Sequence, residues 1–108
     1  MKNEIKLLHI NNYIADNYRK FVKGKEGVGY RDIRKYLTRN FILGNLDLRR
    51  SNDIYQLRRY GNLSILVNVK KGMVIDIYNK KGGKHGYINT REKEDLNKLL
   101  EIGDEYEK

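Results

Sequence analysis

The 108 residues contain no cysteine, no proline and no tryptophan, and only two histidines. The missing cysteine removes disulfide scaffolds, thiolate nucleophiles and cysteine-bound zinc together. Two histidines cannot by themselves build a three-histidine metal centre. Asp47, Asp53 and Asp76 have no spacing that suggests a two-metal nuclease, so neither metal nor cofactor is expected. Long apolar runs are lacking too. None approaches the ~20 residues of a membrane span, and residues 1–10 do not read as a signal peptide. The patterns GxxxxGK[ST], GxGxxG after a strand, HExxH and the nucleophile elbow do not occur. Gly24-x-x-Gly27-x-Gly29 falls between two helical patterns and follows no strand, so a dinucleotide reading fails. With no internal repeat and no low-complexity linker, one compact cytoplasmic domain over 1–108 is the expectation.

What the chain does have is positive charge. Lys+Arg total 23 against 14 Asp+Glu, a net charge of +9. Residues 1–91 hold 20 basic and 7 acidic side chains, whereas residues 92–108 hold 3 and 7. A basic body with an acidic C-terminal segment points to a polyanionic partner, nucleic acid first. The competing explanation is a biased coding composition, rich in Lys, Asn, Ile and Tyr. An anionic membrane fits less well, because no helix shows the bulky apolar face that inserts. The acidic run 101–108 reads as a solvated helix end rather than an autoinhibitory tail.

Apolar periodicity divides the chain. Leu7, Ile10, Ile14, Tyr18 and Phe21 recur at steps of three and four, the stripe of a first helix of about five turns. Three glycines at 24, 27 and 29 break it. A second helix places Ile33, Tyr36 and Leu37 inward and Arg31, Arg34, Lys35 and Arg39 outward. Residues 44–53 read as an irregular connector carrying Leu46 and Leu48. From Ile54 the period becomes 2: strands at 54–60 and 63–70 flank the two-residue turn Gly61-Asn62, Lys71-Gly72 turns into 73–79, and a short strand follows at 85–88. Asn89 or Thr90 caps a last helix with Leu96, Leu99 and Leu100, and Gly103 stops it. The fold class is α+β: two N-terminal helices, a four-stranded antiparallel meander and a C-terminal helix, with the helices on one face of the sheet.

Alternation assigns Leu63, Ile65, Val67 and Val69, with Met73, Ile75 and Ile77, to the core face. Ser64, Asn68, Asp76 and Tyr78 then point the other way, joined by His85 and Tyr87 if Ile88 is inward. Rimmed by Arg58, Lys70, Lys84 and Arg91, this face is a plausible RNA platform, since unpaired RNA is held by stacking plus phosphate contacts. The plainer explanation is that one face of an antiparallel sheet is ordinarily wet. His9 lies off the apolar stripe of the first helix, and His85 follows a Gly-Gly-Lys loop. Either is a surface residue by default and a general acid or base if the protein is an enzyme.

Four stretches carry a family resemblance. They are Leu8-His9-Ile10-Asn11-Asn12-Tyr13-Ile14, residues 54–62 with Tyr55, Arg58, Arg59 and Tyr60, residues 73–79 continuing to Gly86-Tyr87-Ile88, and residues 96–103. Together they resemble, collinearly over nearly the whole chain, the colicin D-type tRNA-cleaving toxin domain, within the wider class of RelE-like ribonuclease toxins. The resemblance implies a ribonuclease fold of helices followed by an antiparallel sheet. It implies His9 as the catalytic histidine, with Lys6, Arg58 and Arg59 gripping the anticodon-stem backbone. Tyr87 stands where that family usually has tryptophan, and the Gly24 to Gly29 stretch does not match. The lack of translocation and receptor-binding regions argues for an intracellular or phage-borne toxin. A tension remains: a first helix packed on the apolar sheet face turns His9 away from Tyr78 and His85. Only docking at the sheet edge reconciles them.

Two functions follow from these expectations. The first is a metal-independent endoribonuclease toxin acting on tRNA or other structured or translating RNA. His9, His85 and Tyr78 are its candidate catalytic residues, a 2′,3′-cyclic phosphate its product, and an acidic antitoxin or immunity protein its partner. The second is a non-enzymatic nucleic-acid-binding protein, such as a phage regulator or an inhibitor of a host nucleic-acid machine. It would work through phosphate contacts from Arg31, Arg34, Lys35, Arg39, Arg49 and Arg50. An acidic protein partner alone is a third, weaker reading.

Overall fold

The computed structural model describes residues 5–22, 24–79 and 88–102. Two helices come first, α1 (Asn12–Phe21) and α2 (Tyr30–Leu43), and α3 (Thr90–Leu100) comes last. Between them, β1 (Asn45–Leu46), β2 (Tyr55–Tyr60), β3 (Leu63–Asn68) and β4 (Met73–Asn79) form one antiparallel sheet in the order β1-β2-β3-β4. The α+β class and the helix-helix-meander-helix order are those expected. One strand differs. The connector, expected to be irregular, supplies β1 and a 3-10 turn, Leu48–Arg50. The strand expected at 85–88 falls almost wholly outside the described residues, as do His85, Lys84, Tyr87 and Gly103. Among the described residues, no helix is long and apolar enough to cross a membrane.

The first helix begins five residues later than its stripe suggests. Asn11 is the N-cap, its side chain accepting from Ile14 N at 2.9 Å, which satisfies one of the otherwise unpaired first-turn donors. The preceding residues are extended and lie along the outer edge of β4. His9 N donates to Gly72 O at 2.8 Å, and His9 O accepts from Val74 N at 2.9 Å. Side chains of α2 hold the same segment from the other side. Thr38 Oγ1 accepts from Leu8 N at 2.9 Å, Arg34 Nε donates to Leu8 O at 2.8 Å, and the Tyr30 hydroxyl donates to Ile10 O. An extended segment has no hydrogen bonds of its own, so these long-range partners are what hold it.

Ile14 and Tyr18 of α1, Ile33, Tyr36 and Leu37 of α2, Leu63, Ile65 and Val67 of β3, and Val74 and Ile77 of β4 make one core between the helices and the sheet. Met73 and Ile75, expected inward, are each 40% exposed. The cause is a break in register. Leu66 pairs with Asp76 and Val67 with Val74, leaving Ile75 as the extra residue of a bulge. A bulge reverses the alternation beyond it, so Val74 turns inward while Ile77 keeps its expected side.

Arg39, expected on the outer face of its helix, is fully buried. Its Nε and Nη2 donate to Asn40 Oδ1 at 3.0 and 2.9 Å, and Nη1 donates to Asn97 Oδ1 of α3 at 2.7 Å. The guanidinium also faces the rings of Tyr36 and Tyr60, 5.3 and 5.6 Å from their centroids. The buried Lys93 of α3 stands 5.7 Å from the Tyr60 centroid. These cations join α3 to α2 and β2. At the α2–β1 junction, a Cβ on Gly44 would lie 2.9 Å from Asn40 O and 3.1 Å from Arg58 Cβ. Gly61, at φ +60°, supplies the left-handed conformation that the two-residue hairpin turn requires.

Candidate functional site

Strand register separates the two faces of the sheet. Directly paired residues share a face, so Asn45, Arg59, Ser64 and Tyr78 form one row across all four strands. Leu57, Leu66 and Asp76 form the next row, and Tyr55, Asn68 and Met73 the third. This is the face turned away from the helices. Tyr55 and Tyr78 are exposed on it, and Arg59 and Asp76 are half-buried. Asn68 closes the β3–β4 turn, its Oδ1 accepting from the N–H groups of Lys70 and Lys71, both at 3.1 Å.

The electrostatics of Tyr78 identify its neighbours. Its phenol pKa is raised, first by loss of solvent around the hydroxyl, then by the charge of the Asp76 carboxylate and a hydrogen bond to it. The Tyr13 phenol adds to the rise, and Arg50 opposes it. Tyr13 on the first turn of α1 and Arg50 at the end of the 3-10 turn are therefore both within electrostatic reach of the Tyr78 hydroxyl. The Tyr13 ring is 59% exposed, open enough to stack on a ligand.

The two strand arginines part ways. Arg58 turns to the helical side, and its guanidinium lies 4.8 Å from the centroid of the Phe41 ring. Nη1 reaches the carbonyls of Phe41 and Ile42 at 3.4 and 3.5 Å, at the C-terminal end of α2 where a cation is favoured. Arg58 therefore belongs to the helix–sheet joint rather than to the rim of the platform. Arg59 emerges on the tyrosine face. Its Nε and Nη2 are buried and meet no acceptor among the described residues.

The other expected site residues scatter. Arg34 is committed to the 5–10 segment, and Arg39 to the core. Lys6, Arg31, Lys70 and Arg91 are exposed and Lys35 is half-buried, without a common focus. His9 is not on a helix. It pairs with Met73 in a parallel bridge, which puts its exposed side chain at the edge of the tyrosine face. The N-terminal segment thus docks at the sheet edge, on the side that Tyr78 shares. Even so, His9 aligns with the Tyr55 row and Tyr78 with the Arg59 row. Those rows are separated by four residues, roughly 13 Å at ~3.3 Å per residue. A general acid and a general base must each reach within about 3 Å of the proton they move, so these two do not meet on one phosphate.

Sequence patterning does not single out Tyr13 and Tyr55 as site residues. Tyr55 carries a signal, since it lies four residues before Arg59 and so shares its face. Tyr13 carries none, because its position depends on where α1 begins. Elsewhere, Ile42, Leu43, Glu92, Asp95 and Leu96 line a groove of about 370 Å³ between α2 and α3, away from the tyrosine face. Among the described residues, no group of three or more His, Cys, Asp or Glu is placed to hold a metal ion.

The model of the YorE family matches residues 8–99. The chain belongs to the YorE family. The matched span runs from the β4-edge segment to α3, so Tyr13, Arg50, Tyr55, Arg59 and Tyr78 all lie inside it. No curated protein and no solved structure matches this YorE-family chain.

Proposed function

We propose that this YorE-family protein binds unpaired RNA on the face of its sheet turned away from the helices. Bases stack on Tyr13, Tyr55 and Tyr78, and phosphates lie against Arg50 and Arg59. The observation that carries this reading is the shared face: Arg59 and Tyr78 stand in one cross-strand row, with Tyr55 two rows away on the same side. Stacking on aromatic rings beside cations holds single strands with little sequence preference, at about 1–3 kcal/mol per base. The net charge of +9 supplies long-range attraction. A loop of tRNA is the favoured substrate, an acidic inhibitor protein would cover the same face, and the site of action is cytoplasmic. The test is fluorescence anisotropy with a labelled oligo-U RNA at two salt concentrations. Tyr55→Ala and Tyr78→Ala should each weaken binding about tenfold, the lower-middle of the stacking range. Unchanged affinity in both variants would assign binding to another surface.

A metal-independent endoribonuclease is the second reading, favoured by the placement of Arg59, Asp76 and Tyr78 on one face of the sheet. A neutral phenol donates a proton to a leaving 5′-oxygen, while a base takes the proton of the 2′-hydroxyl and the 2′-oxygen closes a 2′,3′-cyclic phosphate. His85, which lies outside the described residues, is the candidate base of this reading, because His9 stands too far from Tyr78 to share its phosphate. It makes one separate demand, discrete RNA cleavage that survives EDTA after induction in cells. Intact RNA in those cells leaves the binding function alone.

A further inference from the structure

Among the described residues five arginines are buried or half-buried, and three of them fill the same guanidinium edge. In Arg39, Nε and Nη2 both meet Asn40 Oδ1. In Arg58 they both meet Gln56 Oε1 at 3.3 and 3.2 Å. In Arg34 they meet the carbonyls of Leu8 and Leu7 at 2.8 and 3.4 Å. The Nε and Nη2 of Arg59 are buried and have no acceptor among the described residues. These two N–H groups project in parallel from one edge of a planar group, the geometry that matches two oxygens of a single phosphate. A shielded donor pair without an acceptor costs stability, so an oxyanion from outside the chain has a free-energy gain waiting for it.

We infer that the Nε/Nη2 edge of Arg59 is a bidentate oxyanion site that takes the two non-bridging oxygens of one RNA phosphodiester. The choice of RNA rests on the function proposed above. The row Arg59–Ser64–Tyr78 supports it, because a phosphate on Arg59 sets a neighbouring base toward the exposed Tyr78 ring, two strand spacings or about 10 Å away. Arg50 lies near the same ring and adds positive charge. Both donors are shielded from solvent, so nearby side chains give way as the phosphate enters and the contact forms away from water.

The experiment follows the side-chain Nε–H resonances of 15N-labelled protein. The Arg59 signal is assigned by its loss in Arg59→Lys. Wild-type protein is titrated with inorganic phosphate and, separately, with oligo-U RNA, and RNA affinities are measured for Arg59→Lys, Arg59→Ala and Arg50→Lys. We expect the Arg59 signal to move saturably with both ligands. Arg59→Lys should lose about tenfold in RNA affinity, nearly as much as Arg59→Ala, because an ammonium cannot pair two oxygens from one edge. Arg50→Lys should lose about threefold, less than Arg59→Lys, as expected of a point-charge contact. A shift with phosphate, none with RNA and no RNA binding by anisotropy would uphold the oxyanion edge and overturn RNA as its source, together with the proposed function. RNA binding with an unmoved Arg59 signal and a fully active Arg59→Lys would overturn the site and leave the tyrosine face standing. No response to either ligand would overturn both.

Discussion

Replacing Arg39 by methionine tests whether a buried cation holds the C-terminal helix in place. Methionine keeps much of the arginine stem's volume, so the substitution removes polar contacts without opening a large cavity. Asn40 Oδ1 loses two charged donors and Asn97 Oδ1 one, and the Tyr36 and Tyr60 rings lose the cation they face. Leaving the buried Asn40 acceptor short costs about 1–3 kcal/mol, and the half-buried Asn97 acceptor adds a smaller loss. Part of that is offset, because the variant no longer withdraws a charge from water. A net destabilisation of about 3 kcal/mol follows, near the range found when one partner of a buried charged pair is removed. In urea, with m of about 1.5 kcal/mol/M for a domain of this size, the midpoint should fall by about 2 M at unchanged m. Circular dichroism at 222 nm reads the midpoint. Hydrogen exchange should show the amides of α3 losing protection first, because Asn97 is the α3 residue that Arg39 grips. A midpoint equal to or above that of wild type would refute the reasoning: the guanidinium would then be held at a net cost, and apolar contacts alone would dock α3.

Three other perturbations test separate joints. Gly44→Ala forces a methyl to 2.9 Å from the Asn40 carbonyl and should cost about 1–3 kcal/mol by thermal melt, the range for overpacking, and a neutral result would mean that the α2–β1 junction yields easily. Asn11→Ala removes the α1 cap and should cost about 1 kcal/mol, whereas His9→Ala should leave stability unchanged, because His9 holds β4 through its backbone. The Tyr78 pKa is raised on folding, so the phenol favours the folded state at pH below its unfolded value near 10 and loses that contribution as pH rises through the folded value. Melts from pH 8 to 11 should therefore fall more steeply for wild type than for Tyr78→Phe, and parallel curves would separate Tyr78 from Asp76.

Much of the fold is legible in local patterns along the chain. The change of period at Ile54 marks the start of the three long strands, and Gly61-Asn62 sits where a two-residue hairpin turn needs a left-handed residue. Asn89 caps α3, its side chain accepting from Glu92 N at 3.0 Å. What periodicity misjudges has a common cause. The wheel extends α1 back through Leu7 and Ile10 because apolar spacing alone cannot sense that β4 has an open edge for those residues to pair with. Alternation sends Met73 and Ile75 inward because a bulge leaves no mark in a run of seven strand-forming residues. Patterning turns Arg34 and Arg39 outward because arginine is ordinarily solvated. Their partners lie up to 58 residues away, and nothing local announces them.

The candidate site divides in the same way. By itself the sequence determined the α+β class, the basic body and a sheet face bearing Asp76 and Tyr78, since each follows from composition or from a period measured over neighbouring residues. Tertiary structure alone decided which of two adjacent arginines faces the helices and which faces the other side of the sheet. It also brought Tyr13 and Arg50 within electrostatic reach of Tyr78 and set His9 apart from it. Those outcomes depend on strand register and edge pairing between segments distant in the chain. Such pairings are chosen by the global burial of apolar side chains, and no local preference encodes them.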